Sequence, residues 1–114
     1  MDNIGKKTTT EPYGFLFKVK PVSLAQQKSD AGIKIALVFA LCDSQDEARK
    51  KAVKLLARDH WDILTVKIIP PLLPLQIISL ETLEKDCYKR ATKERMAYCI
   101  LENWPNFLRP DQYK

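Results

Sequence analysis

The chain turns from polar to apolar at Tyr13, where Phe15, Phe17 and Val19 begin to alternate with Leu16, Lys18 and Lys20. A period of two in aromatic and β-branched residues predicts a strand with one face on a core, ended or held at an edge by Pro21. Residues 22–32 are polar and close on Gly32, so they read as a loop, although Val22 and Leu24 could extend the strand. The run Ile33–Cys42 follows. Ile33, Ile35, Leu37, Phe39 and Leu41 form one face, and Ala36, Val38, Ala40 and Cys42 the other. A strand that is apolar on both faces belongs inside a sheet.

The next segment changes period. Asp43 and Ser44 are good N-caps, and Ser44-Gln45-Asp46-Glu47 fits a capping box. Ala48, Ala52, Leu55 and Leu56 then recur at helical spacing up to about Asp59. Trp61 to Ile69 predicts a third strand. Strand, helix and strand make a βαβ unit with parallel strands. Pro70, Pro71 and Pro74 stop that ladder. Leu75 to Ile78 reads as a short edge strand, and Ser79 as the cap of a second helix with Leu80, Leu83, Cys87 and Ala91 on its apolar stripe. Residues 96–101 fit a closing strand slightly better than further helix.

These elements predict an α+β fold with residues 1–12 as a flexible tail, 13–104 as one domain and 105–114 as a C-terminal tail able to dock. A mixed sheet of four to five strands with two helices on one face and a split βαβ resembles the ferredoxin-like plait or a permuted relative. The resemblance is architectural. No family motif carries it, and it transfers no active site.

Composition narrows the class. The chain has 114 residues, 46% hydrophobic and 29% charged, enough for one core without disulfide or metal staples. No apolar run reaches membrane-spanning length, and the N-terminal residues lack the apolar segment of a secretory signal, which points to a soluble protein of the cytoplasm. Cys42, Cys87 and Cys99 are odd in number, form no C-x-x-C pair and are expected as buried thiols. The net charge of +5 is spread thinly. Residues 44–60 carry five Lys/Arg against three Asp/Glu, and residues 81–95 five against four. Acids in the first turn of the first helix and bases later suit the helix dipole without any partner.

No catalytic set, cofactor site or metal site emerges. Cys42 and His60 would lie at opposite ends of one helix, about 22 Å apart at a rise of about 1.5 Å per residue. His60 and Asp62 are too few for a metal site, and Cys87 and Cys99 would not meet along one straight helix. The three glycines, Gly5, Gly14 and Gly32, make no phosphate cradle, which excludes nucleotide enzymes of the G-x-G-x-x-G and P-loop kinds. Pro71-Leu72-Leu73-Pro74 matches P-x-x-P but reads as a rigid turn. The aromatics of the last quarter, Tyr98, Trp104, Phe107 and Tyr113, are candidate interface residues, and Tyr88 stands with them.

Three functions follow. The first is a non-enzymatic protein acting through protein contacts as a homodimer, with a further protein partner allowed. The second is a nucleic-acid binder stacking bases on a sheet beside Lys18, Lys20 and Lys34. The third is a small-molecule binder or enzyme with a pocket between sheet and helix.

Overall fold

The computed structural model describes residues 12–24, 32–70 and 72–105. The expected tails, 1–12 and 105–114, fall almost entirely outside these residues. Four strands form one open sheet: β1 Tyr13–Pro21, β2 Lys34–Ala40, β3 Trp61–Ile69 and β4 Met96–Leu101. Three helices join them: α1 Gln45–Arg58, α2 Pro74–Ile78 and α3 Thr82–Glu94. A single 3-10 turn, Val22–Leu24, follows β1 where a strand extension was one expectation.

The strand order is β3-β1-β2-β4. β1 pairs antiparallel with both β2 and β3, and β4 pairs antiparallel with β2. Two expectations are corrected here. The sheet is antiparallel throughout rather than mixed, because β1 lies between β2 and β3. Those two strands run in the same direction on either side of it, which preserves a split βαβ. The helices cover opposite faces rather than one. Phe15, Phe17, Val19, Ala36, Val38 and Ala40 pack with Ala48, Ala52 and Leu56 of α1. Leu16, Ile35, Leu37 and Phe39 pack with Cys87 and Ala91 of α3. β2 is apolar on both sides, so each side needs a cover. This arrangement and the strand order do not reproduce a clear ferredoxin-like plait.

Local signals explain the element ends. The Ser44 hydroxyl accepts the Glu47 backbone N–H at 3.1 Å, as an N-cap does. The Glu47 carboxylate reaches back to the Asp43 N–H at 3.4 Å, one residue earlier than a standard box. Within α1, Asp46 pairs with Arg49 and Lys50, and Glu47 with Lys51. His60 adopts φ 69° directly after α1, and Arg95 adopts φ 75° at the end of α3. The second turn reverses the chain straight into β4, which is the strand expected over 96–101.

Residues 75–78 are helical, correcting the short strand expected there. Pro74 takes the first helical position, where its fixed φ is favourable and its missing N–H costs nothing. The cap of α3 is Glu81 rather than Ser79, with Glu84 accepting the Glu81 N–H at 3.2 Å. Gly14 is needed for packing. A Cβ there would meet the Phe39 ring at 3.0 Å and Ile69 at 3.2 Å.

Candidate functional site

β3 is an edge strand of nine residues and the least covered part of the sheet. Its ends are anchored. Trp61 and Ile63 pack beneath α1, and Ile69 is buried in the α3 cluster. Between them Leu64, Thr65, Val66, Lys67 and Ile68 are all exposed. Three of these are large aliphatics: Leu64 at 43%, Val66 at 44% and Ile68 at 46%.

Register explains the arrangement. Ile68 pairs with Phe15, and Val66 with Phe17, so both extend the face that α1 covers. The register shifts opposite Lys18 and Val19, leaving Leu64 as the extra residue of a bulge. α1 runs directly into Trp61, so it shelters only the start of β3. The aliphatic stripe therefore continues the core face past the edge of its cover. On the opposite side, the Lys67 ammonium lies 5.6 Å from the centroid of the Trp104 ring. This contact brings the segment after β4 across to β3.

A second exposed apolar stretch follows in sequence. α2 buries none of its residues, and Leu73, Leu75 and Ile78 around it are exposed. Leu72 packs half-buried against the core. Pro74 begins a helix, so Leu72–Pro74 is a junction; Pro71 lies outside the described residues.

The candidate interface residues separate. Tyr98 is half-buried against the α1 cluster, and its phenol donates to Asp59 at 2.7 Å. Burial and this bond raise the phenol's pKa, and the same bond holds the Asp59 carboxyl below its ordinary range. Trp104 lies against Lys67 on the other side of the sheet. The two described residues thus do not share a patch, while Phe107 and Tyr113 fall outside the described residues. Tyr88 packs edge-on against Phe39, with ring centroids 5.1 Å apart.

The chemical candidates are placed as follows. Cys42 is buried, and burial raises its thiol pKa, so proximity to α1 does not activate it. His60 sits at the far end of α1, exposed, beside an open hollow of about 520 Å³ lined by Pro21, Val22, Ser23, Asp59 and Trp61. Cys87 and Cys99 meet because they lie on a helix and a strand rather than on the one straight helix that would keep them apart. The chain turns back at Arg95, and β4 returns along α3. Contact with the Cys99 sulfur and burial both push the Cys87 thiol upward. Among the described residues no three His, Cys, Asp or Glu side chains converge as a metal site.

Of the residues named for base stacking, Lys18 is exposed on β1. Phe15 and Phe17 are fully buried, Lys20 is buried, and Lys34 pairs with Glu102 at 2.8 Å. No described helix is long and apolar enough to cross a membrane.

Comparison of the chain with known protein families, with curated proteins and with solved structures finds no match.

The bare middle of β3 is the candidate surface that the residue pattern did not single out. Its signal was present as the alternation of Leu64, Val66 and Ile68 with Thr65 and Lys67, a one-sided strand pattern. What the pattern could not supply was the length of α1's reach across the sheet.

Proposed function

We propose that this chain acts through protein–protein contacts rather than by catalysis, with a homodimer in the cytoplasm as its working form. The observation that carries the reading is the exposed middle of β3, where Leu64, Val66 and Ile68 stand on a strand edge that no other described strand pairs. Proteins ordinarily blunt such edges with charges, prolines, bulges or a covering loop, because an open edge recruits another strand. Here one bulge and two charges, Asp62 near the start and Lys67, are the devices along a nine-residue strand. Trp104 belongs to the same edge through Lys67, which links a candidate aromatic of the C-terminal quarter to this surface.

Sedimentation velocity on the full chain, from low to high micromolar concentration, tests the reading. Reversible self-association is the expected result. A monomer at every concentration, with no crosslinked dimer, would remove the homodimer.

A further inference from the structure

We infer that two copies of the chain join β3 to β3 in antiparallel fashion, about a two-fold axis at Val66. The inference rests on the homodimer proposed above and specifies its interface. Two four-stranded sheets then become one continuous sheet, with the faces that carry α1 on the same side.

The residue order of β3 points to a second copy as the occupant, and the strand's charge does not oppose one. With the axis at Val66, Leu64 meets the copy's Ile68, Val66 meets itself and Lys67 meets the copy's Thr65. Every exposed aliphatic of β3 faces another aliphatic, and no charge faces a like charge or an aliphatic. Neighbouring registers lose this. An axis at Thr65 sets Lys67 against Ile63 and Asp62 against Ile68. An axis at Lys67 sets that lysine against itself, and directly opposed like charges destabilise a sheet. β3 carries one acid, Asp62, and one base, Lys67, so the edge itself is neutral although the chain carries +5. The electrostatic bias against a copy is therefore weak along the strand.

The size of the surface sets the affinity. Stable interfaces bury about 1,200 Å² or more in total, and one strand pair built on three half-exposed aliphatics a side falls short of that floor. A rapidly exchanging dimer with a dissociation constant on the order of tens of micromolar is expected. Main-chain hydrogen bonds along the edge supply cohesion, and the aliphatic stripe sets the register.

The test uses the full chain with Val66→Lys and Val66→Asp, at a position already exposed in one copy. Each substitution alone is expected to weaken self-association by about tenfold or more, because like charges then face each other across the axis. Thermal midpoints at dilution should fall only slightly, and far less than for a buried position of β4. Mixing the two variants should restore association, since Lys then faces Asp. A wild-type dimer that V66K leaves intact would overturn this interface while the homodimer stands. Loss in both variants without rescue on mixing would overturn the axis at Val66. A wild-type monomer at every concentration would remove the homodimer itself; a foreign strand or the chain's own terminal segment as the occupant would give that result.

Discussion

The two edges of this sheet are made of similar residues and meet different fates. β4 has six residues, Met96–Leu101, and both of its faces are used. Ala97, Cys99 and Leu101 pack on the α3 side, and Met96, Tyr98 and Ile100 on the α1 side. β3 has nine residues and is anchored only at its ends. Side-chain type does not explain the difference, because Leu64, Val66 and Ile68 are as apolar as Met96, Tyr98 and Ile100. The connections do. α3 turns back at Arg95 and lays β4 along itself, so cover and strand arrive together. α1 instead runs into β3 from one end and shelters only Trp61 and Ile63. The surface proposed for interaction lies where the chain's route leaves the middle of an edge strand uncovered among the described residues.

The largest expected effect contrasts the two edges directly. Cys99→Asp in β4 buries an unpaired carboxylate and should cost about 3 kcal/mol or more, whereas Val66→Asp in dilute protein should cost less than about 1 kcal/mol. Urea unfolding followed by circular dichroism measures both. Equal losses would mean that β3 is covered as β4 is.

Next comes the anchored end of β3. Gly14→Ala forces a methyl against Phe39 and Ile69, so a loss of about 1–3 kcal/mol is expected in the same assay. A neutral result would show that this end of the sheet yields.

The turn that delivers β4 is strained in the opposite sense. Arg95 holds φ 75°, a conformation costing a non-glycine residue about 1–2 kcal/mol. Arg95→Gly should therefore stabilise the fold by up to about 1 kcal/mol in thermal unfolding.

The smallest effect concerns the latch between β4 and the end of α1. Asp59 has a lowered carboxyl pKa because the Tyr98 phenol donates to it. A carboxyl whose folded pKa lies below its unfolded value of about 3.9 adds stability above that pH and loses it as the pH falls through the folded value. Tyr98→Phe should thus lower the thermal midpoint slightly at neutral pH. That deficit should shrink once the pH falls below the Asp59 titration.

Much of the fold was legible in the sequence, and the reasons are local. The alternation at Phe15, Phe17 and Val19, the two-faced run from Ile33, the Ser44 cap and the run from Trp61 to Ile69 all became the expected elements. Residues 96–101 became the favoured strand. Errors came where a local signal had two readings. Leu75–Ile78 is apolar enough for a strand, but Pro74 starts a helix. Two helices on one face could not cover a strand that is apolar on both, so α1 and α3 take opposite faces of β2. The bare stretch of β3 depends on how far α1 reaches across the sheet, which no residue pattern encodes.

Native-state hydrogen exchange, followed residue by residue as a function of protein concentration, tests the open edge most directly. In dilute protein the outward-facing amides of Leu64–Ile68 should exchange quickly while those of β4 that bond to β2 stay protected. Raising the concentration should slow exchange at Leu64–Ile68 and leave β4 unchanged. Protection of Leu64–Ile68 that is already high in dilute protein, or that stays constant as concentration rises, would contradict an open edge that closes on a second copy.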